Sequence, residues 1–510
     1  MKLNRSLPLG TLVFAFSAMM TSGFAELRLA PPFTDHAVLQ RGVAVPVWGW
    51  DENPGAPVTV SYRGQIKETR VNHSGLWRAD LDAMAAATEG ADLVITGSST
   101  ITLHDVVVGE VWLASGQSNM EWKLASSRGL NEKKARAANP LIRNLHIEHA
   151  GADLPVATLA HTGWQSASPE TIGMFSGVGY FFAQHLSQEL NVPVGIIHAS
   201  WGGTAIESWI PEPVLRSTRA WRNLEPQWIE ALKVFPEKYA KQPALEAAWQ
   251  KAWEDFHAKG TPVTMEWPRP PMGPGSAFAP GRLFNGMIAP LAPYALRGAL
   301  WYQGESNVGR QDEYRELLPT MIGAWRATWP QGDFPFLVVQ LPNFNDNNPT
   351  GRAWAQLREA QDLVVSQVPA TGLAVIIDGD EPDNLHPVNK RPVGERLARI
   401  ALHQIHDQQA LEWTGPVFQS LTLQKAALRV RFSSASSLKS TQPTIVGFEI
   451  AGVDKVFHSA DAQIDGSTVV VSSAQVPLPV AVRYAYTNAA TGSLANATGL
   501  PAAPFRSDAW

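Results

Sequence analysis

The chain of 510 residues contains no cysteine. Disulfides are therefore excluded, and so are a thiolate nucleophile and any metal site built on thiolates. Charge is sparse as well: charged residues make up 17%, the formal net charge is −5, and no basic run occurs. That pattern lacks the electrostatic footprint of a nucleic-acid binder. Beyond the N-terminus no segment offers about 20 uninterrupted apolar residues, so no membrane-spanning helix is expected in the mature chain. No internal repeat is visible. What is present is a hydrophobic content of 45%, with 19 tryptophans, enough for a large packed core. Most of those indoles should pack, although their flat faces also suit sugar rings.

The N-terminus has the form of a secretory signal over residues 1–25. Lys2 and Arg5 precede a short apolar run at 9–20, and small residues lead to a cleavage site after Ala25. Export, to the periplasm or the medium, is the expectation. Residues 26–105 read as a small all-β region, with strands expected at 58–62, 66–73, 76–81 and 91–97 between turn residues. From 106 to 410 the texture changes. Near-continuous apolar runs at 106–115, 142–149, 194–200, 297–303, 335–341 and 373–378 alternate with helical stretches at 177–190, 353–367 and 391–405. Runs of this kind predict a doubly wound α/β domain, a parallel sheet with helices on both faces. An insertion at about 211–285 interrupts it. Residues 226–260 look helical and charged, broken by Pro236 and Pro243, and a Pro/Gly-rich loop follows at 267–281. It is either a surface decoration or a wall of the substrate cleft. Residues 411–510 return to β texture, with runs at 420–433, 447–452, 468–473 and 480–488.

In an open parallel sheet, ligands bind beyond the carboxyl ends of the strands. Four such ends carry chemistry here. The first leads into Gly116-Gln117-Ser118-Asn119, the third into Trp201-Gly202-Gly203, the fourth into Gln303-Gly304-Glu305, and the last into a loop with Asp383 and His386. These supply a hydroxyl, unencumbered backbone donors, an amide and a carboxylate–imidazole pair, the parts needed for acyl transfer. A serine hydroxyl needs an adjacent base. Histidine suits that task near neutral pH, and a carboxylate on its other nitrogen fixes the tautomer. Asp383 and His386 are close enough in sequence to meet locally, with Asp378, Asp380 and Glu381 as rivals in the same loop. The oxyanion would be met by the N–H of Ser118, that of Gly203 or alternatively Gly202, and the Gln303 amide. An imidazole base of ordinary pKa puts the acid limb of kcat/KM in roughly the 6–7 range. His198, just before the glycine pair, reads better as a satisfied core residue than as a ligand.

Together, "GQSNM" (116–120), "WGGT" (201–204), "WYQGESN" (301–307) and "DNLH" (383–386) resemble the blocks of the SGNH hydrolase superfamily, and within it the sialate O-acetylesterase family of carbohydrate acetylesterases. The resemblance implies an SGNH-hydrolase-like, flavodoxin-like sheet at 106–410 flanked by β regions. It implies Ser118 as nucleophile, His386 as base, Asp383 as its orienter, and Gly203 and Gln303 in the oxyanion hole. It implies no metal and no cofactor. An acetylated sugar or glycan is the expected partner, either a sialic acid or a plant polysaccharide such as xylan or xyloglucan. A non-catalytic glycan-binding protein is the alternative of another class. Gln117, Asn119, Trp201 and Glu305 are candidates to touch the sugar. Arg282 is a candidate for a sugar carboxylate, with a structural ion pair as the preferred alternative.

Overall fold

The computed structural model describes residues 26–130, 138–259, 268, 270–348, 350–434 and 437–510. The segment read as a signal peptide lies outside the described residues, as do 260–267 and 269 of the insertion.

Seven strands form the central layer: β1 (Thr100–Gly116), β2 (Asn139–Ile147), β3 (His161–Ala167), β4 (Val194–Ser200), β5 (Gly298–Tyr302), β6 (Phe336–Val339) and β7 (Thr371–Ala374). Their spatial order is β3-β2-β4-β1-β5-β6-β7. Every neighbouring pair is parallel except β2 with β3, a hairpin at the edge. The six mutually parallel strands run β2-β4-β1-β5-β6-β7, so chain order reverses at β1. β4 and β5 sit on opposite sides of β1, so the crevice opens at its carboxyl end.

Burial on both faces explains the apolar runs. All residues of β4, β5, β6 and β7 are buried, as is β1 from Val106 onward. Alternate residues face different helices. Trp112, Ala114, Leu300 and Val339 share a core with α2 (Gly177–Leu190) and α6 (Arg391–Gln404), after the one-turn α1 (Ser118–Glu121). Leu113, Ala299, Trp301 and Val338 share the other with α4 (Gln311–Thr328) and α5 (Ala353–Gln367). The insertion contributes α3 (Arg219–Lys259), which runs unbroken past Pro226, Pro236 and Pro243. The expected break is thus corrected. The helix is mostly exposed, so water can take the carbonyls that each proline leaves without a donor.

The flanking β regions are fastened to this layer in two ways. The boundary expected at 105/106 falls inside β1. Its first residues pair with the strand Ala87–Thr96, and Val107 to Gly109 pair in parallel with Val38–Gln40. At the other end, two four-stranded antiparallel sheets, led by the hairpin of Val417–Gln424 with Ala427–Ser433, pack around Phe432, Phe448, Tyr484 and Phe505. Arg358 of α5 anchors them. It is fully buried and has no carboxylate partner among the described residues. Instead it donates to the carbonyls of Leu341 and Pro342 on the catalytic side and of Thr487 and Asn488 on the C-terminal side. Arg358→Met keeps the bulk and removes these donors. The unmade bonds should cost at least about 3 kcal/mol in total, read as a lower Tm and faster proteolysis of the C-terminal region; an unchanged melt refutes the anchor.

Candidate active site

The site begins with a close approach of two strands. β1 ends at Gly116, with φ of 135°, and a Cβ there would stand 2.1 Å from the Tyr302 carbonyl oxygen. Only glycine lets the chain turn so tightly against β5. Gln117 N–H then donates to that same carbonyl at 3.0 Å. The turn delivers Ser118 as the first residue of α1. Its Oγ lies 2.8 Å from His386 Nε2, so two residues 268 positions apart meet at the carboxyl end of the central strand.

The imidazole is held from several directions. Trp122 stacks on it with ring centroids 5.4 Å apart, and the backbone N–H of His386 donates to Asn384 Oδ1 at 2.9 Å, which fixes the loop that carries the ring. Burial lowers its pKa below the ordinary imidazole value; the positive charge of Lys390 lowers it further, and Glu121 opposes both. The base is therefore neutral, and competent, at neutral pH.

In this structure Asp383 stands apart from the His386 ring. Asp383 is exposed and accepts from Asn345 Nδ2 at 2.9 Å, and no hydrogen bond or ion pair joins it to the imidazole. Its rivals are taken by cations: Arg396 holds Asp378, and Arg128 holds Asp380 and Glu381. Their guanidinium partners keep these carboxylates off the ring.

The donors for an oxyanion sort themselves by what they already bind. Gly202 N–H donates to Glu121 Oε2 at 2.6 Å and is spent. Gly203 is exposed, and neither its N–H nor that of Ser118 has a protein acceptor among the described residues. Gln303 is a correction. It is completely buried, and its amide donates to Asn307 Oδ1 (2.7 Å) and Thr204 O (3.2 Å) while accepting from Tyr314. A buried amide must satisfy its own donors. This one supports the turn after Gly203 and leaves no hydrogen for a substrate oxygen.

Other expected sugar contacts turn inward too. Gln117 is buried and accepts from the N–H groups of Gly304 and Ser306. Asn119 is fully buried. Its Nδ2 donates to Glu305 Oε1 (2.6 Å) and Leu385 O (3.1 Å), and its Oδ1 accepts from Lys390 Nζ (2.5 Å). Glu305 has its Oε2 buried without a partner, and burial raises its pKa. Both face the protein because the amide and carboxylate complete each other there. Arg282 pairs with Asp153 and donates to Gly151 O, the structural alternative. Trp201 remains at the rim, half-buried and stacked on His149 at 4.2 Å and 6°. Trp209, Trp301 and Tyr302 are core. His198 is core as read: it bonds Ser200 and His146, and burial drives its pKa to about 3.

Three participants escaped the sequence. Glu121 bridges Gly202 and His149 (2.9 Å). Its place one turn after Ser118 was a usable signal. His149 ends a predicted strand, so the strand-end rule also reached it. Lys390 gave no signal, being one lysine in a polar stretch. Since the Glu121 charge raises the His386 pKa, Glu121→Gln should lower it. The acid limb of kcat/KM is expected below about 6.5 in the wild type and lower still in the variant, which extends activity toward acid. An upward shift in the pH profile refutes this.

Comparison with known proteins agrees with the site. A family model described as carbohydrate esterase, sialic acid-specific acetylesterase matches residues 108–241 and 258–403. Sialate O-acetylesterase of Homo sapiens is 28% identical over 435 residues, covering 78% of this chain and 74% of that protein. The Rattus norvegicus enzyme of the same name is 28% identical over 458 residues, 82% of this chain and 80% of its own. The crystal structure of a carbohydrate acetylesterase from Xanthomonas citri superposes with a TM-score of 0.80 at 35% identity, over 95% of this chain and 100% of that one. The protein belongs to the carbohydrate esterase, sialic acid-specific acetylesterase family, and with it to the carboxylic ester hydrolases.

Proposed function

We propose that this protein is an exported carbohydrate O-acetylesterase that removes acetyl groups from sugar hydroxyls by nucleophilic catalysis at Ser118. The observation that carries the reading is the 2.8 Å contact of Ser118 Oγ with His386 Nε2 at the switch point of the sheet. His386 takes the hydroxyl proton as Oγ attacks the acetyl carbonyl. The N–H groups of Ser118 and Gly203 meet the oxygen on which charge develops. The intermediate collapses, and the sugar oxygen leaves with the proton from His386. Water, deprotonated by the same imidazole, then attacks the acetyl-serine; acetate departs and Oγ recovers its proton.

The third member of the triad is proposed to be Asp383. Of the four carboxylates in the loop it is the one without an arginine partner among the described residues. It is therefore the one most readily drawn to Nδ1 when the ring becomes positively charged. Asp383→Asn should lower kcat by at least about a hundredfold, and Asp380→Asn, which removes an arginine-held carboxylate, by less than about threefold. Equal effects would refute the assignment.

The strand order and the residues at the strand ends support placing 106–410 among the SGNH hydrolases, flanked by β regions at 26–105 and 411–510. Export rests on the composition of residues 1–25. Sialate-type O-acetyl sugars are the substrate class suggested by the family description and the mammalian relatives. Wild type should release acetate from an aryl acetate, and Ser118→Ala should lose at least about a thousandfold. Retained activity in Ser118→Ala eliminates the serine mechanism, and no activity in either points to a glycan-binding protein. Free acetate from a panel of acetylated sialic acids, xylan and xyloglucan identifies the glycan.

A further inference from the structure

Behind Ser118 lies a buried polar cluster that the acyl-transfer steps do not use. Its centre is the Asn119 side chain, whose two polar atoms make three hydrogen bonds, one to the turn after β5 and two to the loop that leads into α6. The oxygen takes Lys390 at the start of α6. The nitrogen gives one hydrogen to Glu305, in the turn after β5, and the other to the carbonyl of Leu385. Leu385 immediately precedes the base. Asn119 immediately follows the nucleophile. One side chain therefore spans the two residues whose separation decides whether the proton can move.

The surroundings keep it in place. Lys390 is 1% exposed, and its stem packs against Gly177. Its ammonium lies 5.5 Å from the ring centre of Trp122, the indole that stacks on His386, and 5.8 Å from that of Tyr302. The Lys390 amine on one side and the Glu305 carboxyl on the other set the amide orientation, with its oxygen toward Lys390 Nζ and its nitrogen toward Glu305 Oε1. With the amide so fixed, its second hydrogen is directed at Leu385.

We propose that Asn119 is a positioning residue for the transfer step: oriented by Lys390 and Glu305, it sets the spacing between the Ser118 turn and the His386 loop through its hydrogen bond to the Leu385 carbonyl. The proposal rests on the reading of Ser118 and His386 as nucleophile and base. It assigns Asn119 no contact with substrate, so its loss acts on kcat and spares KM. Positioning of this kind is consequential because a displacement of about 1 Å in a reacting pair can cost on the order of a hundredfold in rate.

The test separates positioning from simple stability. Asn119→Asp keeps the shape and the bond to Lys390 but sets two carboxylates against each other and leaves Leu385 without its donor. The expected result is a lower Tm, a kcat reduced by about tenfold or more, and a KM within about twofold of wild type. In the double variant Asn119→Asp/Glu305→Gln the direction of the pair is reversed. The new glutamine donates to the new aspartate, while Leu385 remains unserved. Tm should recover and kcat should stay low. Recovery of kcat together with Tm overturns the proposal, because the cluster would then be structural only; so does an unchanged kcat in the single variant. Should the single variant fail to fold, the double variant decides alone by the same criterion. Ser118→Ala, assayed beside them, keeps the two readings apart: activity surviving in it would refute the serine mechanism, whereas a failed Asn119 test beside an inactive Ser118→Ala leaves that mechanism standing.

Discussion

At Gly116 a backbone carbonyl occupies the space where any side chain would begin. The Tyr302 oxygen lies 2.1 Å from where a Cβ would be, so β1 and β5 close on each other to a degree that glycine alone permits. From this contact the site is assembled in sequence. The turn is forced, Gln117 is drawn onto the same carbonyl, and Ser118 emerges at the switch point facing the loop that carries His386. The energy of two large cores, one on each face of the sheet, holds the strands in register and so sustains the close approach.

Around that contact polar groups are used economically. Gln117, Asn119, Gln303 and Glu305, all in the signature stretches, turn toward one another or toward backbone rather than toward the cleft. Signature residues in this chain are as much scaffold as chemistry. They tie together loops that arrive from four different strands, and the groups left for the reaction include a hydroxyl, an imidazole, the N–H groups of Ser118 and Gly203, and an indole face. Low local dielectric makes each bond in such a network count for more, and makes each missing partner costly.

The architecture was legible because its signal is periodic and long. Buried parallel strands write continuous apolar runs, and the runs at 194–200, 177–190 and 353–367 coincide with a strand and two helices to the residue. Meeting points were legible too, since strand ends share a rim. Orientation was not. Nothing in "QGESN" says whether Gln303 aims at substrate or at Asn307, because that depends on Tyr314 and Thr204 arriving from elsewhere. Nor could spacing reveal that Asn345 would take Asp383. The prolines of α3 misled for a related reason: their penalty is a local rule, and exposure along the whole helix softens it.

The long first strand of the central layer joins what look like separate modules. Thr100–Gly116 serves the N-terminal β region with one half and carries the nucleophile turn with the other. A gene fusion or domain exchange made at this seam would cut a strand in its middle and release the end that presents the serine. Any graft of a new N-terminal module onto this catalytic layer must therefore bring along, or rebuild, the strand that crosses between them.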